Sequence, residues 1–219
     1  MSKILILGGT GSLGKFLVDF YSHTSKVYCH GRSQSKLLAL KNLYPNVELV
    51  FAQSLLSHNV IKLVNEVDVI INCAAQKYVS YGEINPTETL STNLFNVIET
   101  YKAIKYASKY IFISSDKASN PNCNVYGMSK YLAERCLLEL SENDSHGYIP
   151  PVIICRFGNI FGSQGSVIPL WRQAIANNKE MKINNPNMTR FMLSVQDAVS
   201  LVVKAVDEGI NGDIYIPKM

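Results

Sequence analysis

Lys3-Ile4-Leu5-Ile6-Leu7-Gly8-Gly9-Thr10-Gly11-Ser12-Leu13-Gly14 opens the reading of this chain. Four apolar residues after a lysine read as a buried strand. Glycines follow at once, and Phe16, Leu17, Val18 and Phe20 then supply the apolar face of a helix. Glycines at 8, 11 and 14 permit a tight turn, close approach of a pyrophosphate to the backbone, and close helix–sheet packing. The helix N-terminus adds N–H groups and a positive dipole end. A glycine triplet at that spacing is common by itself. In the order strand, loop, helix it points to a dinucleotide held by Gly8, Thr10, Gly11, Ser12, Leu13 and Gly14.

The same alternation runs on through the chain. Strands are expected at 26–29, 47–51, 68–72, 110–114, 152–157 and 213–217, and helices at 36–44, 59–64, 87–108, from 125 onward, 167–176 and 195–207. That pattern predicts an α/β fold, a doubly wound parallel sheet with its ligand at the C-terminal strand ends. The expected organisation is a Rossmann-type domain over 1–158 and a small substrate-facing lobe over 159–219, interleaved with the last sheet elements.

After the second strand the chain reads His30-Gly31-Arg32-Ser33, with no acidic residue to bind the adenosine ribose 2′-hydroxyl. Arg32 and Ser33 suit a 2′-phosphate, which favours NADP over NAD; the plainer alternative is that Arg32 only starts a surface helix. After the fourth strand, Ala74 and Ala75 are small enough for a cofactor to lie against the backbone, and Lys77 would reach a phosphate or a sugar hydroxyl. Asn93, inside the expected long helix, is read as holding neighbouring backbone rather than substrate.

Tyr110 to Arg135 carries the chemistry. A β-branched and aromatic strand ends in Ser114, a loop marked by Asp116, Lys117, Asn120, Pro121 and Asn122 follows, and Tyr126 and Lys130 then stand four apart on one helix face. An ammonium beside the phenol is expected to draw its pKa below about 10, giving a base for a sugar hydroxyl. Isolated, each of these pairs would be read as solvated charge. Their value lies in their order after the glycine turn.

Composition narrows the classes. The 219 residues are 47% hydrophobic and 17% charged, with a formal net charge of +4 and no basic run that would suggest nucleic acid. No stretch approaches the roughly 20 apolar residues of a membrane span, and the N-terminus does not read as a signal peptide. Cys29, Cys73, Cys123, Cys136 and Cys155 show no paired spacing and suggest reduced, partly buried thiols and a cytoplasmic setting. His23, His30, His58 and His146 lack metal-ligand spacing, so no metal is expected.

With these pieces in place the chain resembles the extended short-chain dehydrogenase/reductase superfamily. Within it, the chain resembles the polysaccharide-biosynthesis branch containing C5-inverting UDP-N-acetylglucosamine 4,6-dehydratases. GGTGSLG, AAQKYV, EINPTETLSTN, SSDKASNP, YGMSK, RFGNIFGSQGSVIP, NPNMTRF and IYIPK carry the resemblance over nearly the whole sequence. It implies a nucleotide-sugar substrate, a homo-oligomer and a lyase reaction. Tyr126, helped by Lys130, would take the 4-hydroxyl proton as hydride passes to NADP+. Lys117, neutral, would remove the C5 proton, and Asp116 would donate to the departing 6-hydroxyl. Ser115, Asn159 and Lys77 would touch the sugar and Arg190 the diphosphate. The chain departs from the branch at Ala52-Gln53-Ser54, where relatives carry Gly-Asp, in a loop before Tyr126 that reads one residue longer, and in ending at Met219, where the family's tail is expected to be absent. Two other functions remain open: a nucleotide-sugar reductase or epimerase, which needs Tyr126 and Lys130 but not Asp116 and Lys117, and a non-catalytic NADP-binding protein.

Overall fold

The computed structural model describes residues 1–120, 124–143, 148–163, 165–181, 183 and 185–219; Pro121, Asn122, Cys123 and His146, named above, lie outside the described residues. In chain order the strands are β1 (Lys3–Leu7), β2 (Lys26–Gly31), β3 (Glu48–Phe51), β4 (Val69–Asn72), β5 (Lys109–Ser115), β6 (Val152–Phe157), β7 (Asn159–Ile160), β8 (Met192–Leu193) and β9 (Ile214–Tyr215). The helices are α1 (Gly14–Ser22), α2 (Gln34–Leu43), α3 (His58–Leu63), α4 (Val79–Ile84), α5 (Pro86–Leu90), α6 (Asn96–Lys102), α7 (Val125–Glu142), α8 (Val167–Ala176) and α9 (Val195–Glu208).

Seven strands form one sheet in the order β3-β2-β1-β4-β5-β6-β9, every neighbouring pair parallel. Alternation along β1 explains the layering: Ile4 and Ile6 point to one face, Leu5 and Leu7 to the other, and all four are buried. The first face packs on Leu17 and Val18 of α1, Leu37 and Leu40 of α2, and Ala198, Val202 and Ala205 of α9. The second packs on Val60 and Leu63 of α3, Val97 and Tyr101 of α6, and Ala133 and Leu137 of α7. A sheet covered on both sides needs strands apolar throughout, which is why these read as unbroken apolar runs.

One expectation is corrected and one feature is added. The helix expected over 87–108 is α5 and α6 joined by a wider turn over Ser91–Phe95, where the Asn96 N–H reaches back five residues to the Ser91 carbonyl. It ends at Lys102, and a further short helix, α4, precedes it. The widened turn carries Asn93, fully buried. Its Oδ1 accepts from the Gln76 N–H at 2.7 Å, and its Nδ2 donates to the Gln76 carbonyl at 2.9 Å and to Ser129 Oγ at 3.0 Å. Asn93 therefore holds backbone, as read from the sequence, and its inward turn is what the extra residue in the helix accommodates. Second, β7 and β8 form a separate parallel pair, Asn159 facing Met192 and Ile160 facing Leu193. Two-residue strands leave no periodicity to read.

Candidate functional site

A groove of about 760 Å³ runs along the C-terminal ends of β1, β2, β4, β5 and β6. The strand order reverses between β1 and β4, so the loops on either side diverge there and leave the space. Its floor is the glycine turn. Gly8 has φ of 75°, and a Cβ there would lie 2.8 Å from Ala74 N and Cα. A Cβ on Gly14 would collide with the Gly8 carbonyl oxygen. The turn is closed by the Gly11 N–H donating to the Gly8 carbonyl at 2.9 Å. Side chains at 8 or 14 would strike neighbouring backbone, so glycine packs the turn tightly against the end of β4 and the start of α1 and leaves a backbone cradle that suits a dinucleotide.

All the cofactor-facing residues expected from the sequence line this groove: Gly8, Thr10, Gly11, Ser12, Leu13, Gly14, Arg32, Ser33, Ala74, Ala75, Tyr126 and Lys130. Ser33 caps α2 by accepting from the Lys36 N–H at 3.4 Å, and Lys36 joins Arg32 in the lining. Lys36 stands in the first turn of α2, and the Ser33 cap signal was the one sequence clue to its placement. Partial burial of Lys77 itself pulls its ammonium below the ordinary range, and the Lys36 charge adds to the fall.

The chemical end lies where β5 stops. Ser115 caps a short 3₁₀ turn over Asp116–Ala118: its Oγ accepts from the Lys117 N–H at 3.3 Å and donates to Asp116 Oδ1 at 2.9 Å. Lys117 Nζ is 3.1 Å from the same Asp116 oxygen. α7 starts immediately opposite. Asn124 Oδ1 accepts from the Gly127 N–H at 2.8 Å, and Glu83 of α4 accepts from the Val125 N–H at 2.8 Å. A Cβ on Gly127 would lie 2.6 Å from the Lys117 carbonyl oxygen, so glycine there lets the helix approach the turn. These contacts bring Ser115, Lys117, Tyr126 and Lys130 into the groove wall, with Asp116 behind Lys117.

The electrostatics differ from the sequence expectation. Burial pushes the Tyr126 phenol up to about 12, its interaction with the Ser115 hydroxyl works against that rise, and the Asp116 carboxylate adds to it. Burial also draws Lys130 down to about 7, opposed by Glu134. Lys130 is 1% exposed, its Nζ has no hydrogen-bond partner, and it sits 4.0 Å above the centre of the Phe112 ring. A lysine that has itself lost much of its charge to desolvation cannot hold the phenol below 10. That unpartnered buried ammonium also fits a ligand supplying acceptor oxygens, such as the hydroxyls of a cofactor ribose. Beneath it, Glu134, 1% exposed, accepts from Arg156 Nε at 3.0 Å and Nη2 at 2.5 Å, and from Ser114 Oγ.

Of the substrate-facing expectations, Lys77, Ser115 and Asn159 line the groove, and Asn159 Nδ2 donates to the Phe191 carbonyl at 3.3 Å. Arg190 does not line it; exposed, its Nη1 donates to the Thr189 carbonyl at 2.7 Å. Its segment joins the small β7–β8 pair, whose position a motif cannot reveal. Among the described residues no cluster of three or more His, Cys, Asp or Glu side chains is arranged to hold a metal, and no helix is long and apolar enough to cross a membrane.

A parallel sheet with a glycine turn at its switch point, faced by a Tyr-x-x-x-Lys helix, defines the extended short-chain dehydrogenase/reductase class. The chain belongs to the polysaccharide biosynthesis protein family, whose model matches residues 4–219. It is 37% identical over 99% of its length to an uncharacterized membrane protein of Methanocaldococcus jannaschii, covering 66% of that protein. It is 32% identical over 99% of its length to a UDP-N-acetylglucosamine 4,6-dehydratase (inverting) of Campylobacter jejuni, covering 67%, and 31% identical over 98% to a UDP-glucose 4-epimerase of Rickettsia bellii, covering 65%. The chain thus spans about two thirds of the length of these curated relatives. Among solved structures, Pen from Bacillus thuringiensis superposes with a TM-score of 0.92 at 29% identity, over 100% of this chain and 68% of that one. The dTDP-glucose 4,6-dehydratase DesIV of Streptomyces venezuelae, solved with NAD, gives 0.84 at 17% over 98% of this chain and 74% of that one, and shares the fold alone.

Proposed function

We propose that the groove binds NADP and that the protein dehydrates a nucleotide sugar, of the UDP-N-acetylglucosamine class, to a 4-keto-6-deoxy product with inversion at C5. The observation that carries this reading is the placement of the Asp116–Lys117 pair beside Tyr126 at one end of a dinucleotide-shaped groove. Arg32, Ser33 and Lys36 would hold a 2′-phosphate, and the glycine turn the diphosphate. The bound nicotinamide would accept a hydride and return it, so that none is consumed overall. Tyr126 takes the proton of the 4-hydroxyl, and Lys130 beneath it would regain its charged form when cofactor ribose oxygens complete its missing hydrogen bonds. Lys117 takes the proton next to the new carbonyl, and Asp116 gives one to the departing hydroxyl.

Those last two roles require a neutral amine beside a neutral acid. An ion pair with its oxygen 3.1 Å from the ammonium reaches that state by moving one proton along an existing contact, with no change in net charge. A substrate that excludes water from the pair lowers the cost of the move. We also assign residues 159–219 as a small substrate-facing lobe interleaved with the last sheet elements, with Asn159 at the groove, and a homo-oligomeric assembly.

The test is incubation of the purified protein with UDP-N-acetylglucosamine and catalytic NADP+, read by mass spectrometry for loss of one water. Turnover that consumes stoichiometric NADPH would overturn the dehydratase. The likeness to a protein named as a UDP-glucose 4-epimerase supports a second reading on the same scaffold. A Lys117→Ala variant separates the two: at least a hundredfold loss of turnover supports the dehydratase, and indifference supports the epimerase.

A further inference from the structure

His30, the next-to-last residue of β2, is 3% exposed and lines the groove, yet belongs to none of the roles above. Its ring stands between two loops. Nδ1 is 3.3 Å from the Gly8 N–H, and Nε2 is 3.1 Å from the Ala52 carbonyl oxygen. Its own carbonyl accepts from the Gly9 N–H at 2.8 Å. One residue therefore holds two successive N–H groups of the glycine turn and ties that turn to the loop after β3, whose Gln53, Ser54 and Leu55 line the far end of the groove.

Chemistry fixes the ring's state. A backbone N–H only donates and a carbonyl only accepts, so Nδ1 must be bare and Nε2 must carry the proton. A second proton would set an N–H against the Gly8 N–H and remove the acceptor at the residue whose φ of 75° shapes the turn. We infer that His30 is a positioning residue for dinucleotide binding: neutral and protonated on Nε2 it holds the turn in shape, and a second proton opens the turn and weakens the bound dinucleotide. This rests on the reading that the groove takes a dinucleotide.

The surroundings favour the neutral ring. Burial lowers its pKa from the usual 6.5, the Ala52 contact opposes this, and the Arg32 cation adds to the lowering. From β1 and its turn the neighbouring polar side chains are Thr10 and Ser12, neither titrating. On β2 and the exit of β4, Cys29 and Cys73 are thiols that burial pushes up to about 12, hence uncharged. On β3 the His30 partner is Val50, while Glu48 faces Tyr28 farther down. Lys36 on α2 lines the same groove.

The test combines long-range ¹H–¹⁵N NMR of the wild-type ring with NADP+ titration calorimetry at pH 7.5 and 5.5. A bare Nδ1 at pH 7.5 and, at pH 5.5, a loss of affinity larger than that of His30→Asn are expected. His30→Asn keeps an acceptor near Gly8 but cannot titrate. Because a 2′-phosphate titrates in the same range, that variant sets the baseline, and its pH dependence should be the shallower. His30→Gln reaches only toward Ala52 and should bind about three- to tenfold more weakly than His30→Asn at pH 7.5, the value of one hydrogen bond. A proton on Nδ1, equal pH dependence in wild type and His30→Asn, or equal affinity of the two variants would each overturn the inference. Failure of the wild type to bind either NADP+ or NAD+ at pH 7.5 would overturn the dinucleotide reading instead, and this inference with it.

Discussion

Replacing Lys130 by methionine should stabilise the protein while removing its activity. Lys130 Nζ is buried and unpartnered, and its pKa falls from the ordinary 10.5 to about 7. At about 1.4 kcal/mol per pH unit, that fall corresponds to roughly 5 kcal/mol by which folding is penalised when the group must hold its proton. Below pH 7 both states are protonated and the penalty is complete. Between 7 and 10.5 the folded state has released a proton that the unfolded chain retains, so stability climbs with pH and the penalty fades. Methionine keeps the length, carries no charge and sets a sulfur near the Phe112 ring. Glu134 would lose its attraction to the ammonium but keep Arg156 and Ser114. The net gain expected is about 2–5 kcal/mol at pH 6.5, shrinking toward zero near pH 10.5. Urea unfolding of both proteins at pH 6.5, 8 and 10 measures it. Destabilisation at pH 6.5, or a gain of the same size at all three pH values, would refute the reasoning. In the same variant turnover should fall at least a hundredfold, because the charge that costs stability is the one the chemistry uses.

Other substitutions probe the remaining supports. Gly8→Ala forces a Cβ to 2.8 Å from the Ala74 backbone at a positive φ and should cost about 2 kcal/mol or more; an unchanged midpoint of thermal unfolding would contradict the close approach. Glu134→Gln breaks a buried carboxylate–guanidinium pair and should cost about 3 kcal/mol in urea unfolding, and a loss below about 1 kcal/mol would mean that Arg156 finds water instead. Arg32→Ala should weaken NADP+ binding about tenfold and leave NAD+ binding nearly unchanged, a difference read by calorimetry.

The main sheet was legible because burial on both faces demands unbroken apolar strands, and β1, β4, β5 and β6 consist of such runs. The glycine turn was legible because its three glycines each meet a backbone that a Cβ would strike or a turn that needs their freedom. What stayed hidden depends on contacts between distant segments. Asn93 and Gln76, 17 residues apart, lock together and widen a helix that periodicity alone draws straight. The bridge through His30 joins residues 22 apart on each side, and no spacing rule connects a histidine to a glycine N–H and an alanine carbonyl. The motif around Arg190 was legible as a motif, but its placement was not, because β8 is too short to announce where that segment lies. The direction of the Tyr126 pKa was misjudged for a related reason: spacing shows that a lysine is near, and only the packed structure shows that burial pushes the phenol up and the ammonium down.

All neighbours in the main sheet are parallel, so none can pair through a hairpin, and that governs how the chain must assemble. β1 lies inside the sheet and waits for β4 at its centre, just before which the Asp68 side chain accepts from the Lys3 N–H across 65 residues. At the far edge Val152 and Asn211 join across 59 residues, and Lys109 reaches the carbonyls of Val206 and Asp207, near the end of α9, across 97 and 98. Each closure loses chain entropy before any contact rewards it, so folding belongs in the slow range of milliseconds to seconds or beyond. During synthesis the face over Ile111, Ile153 and Cys155 stays uncovered until α9 has left the ribosome, so the nascent chain carries exposed apolar surface at that stage.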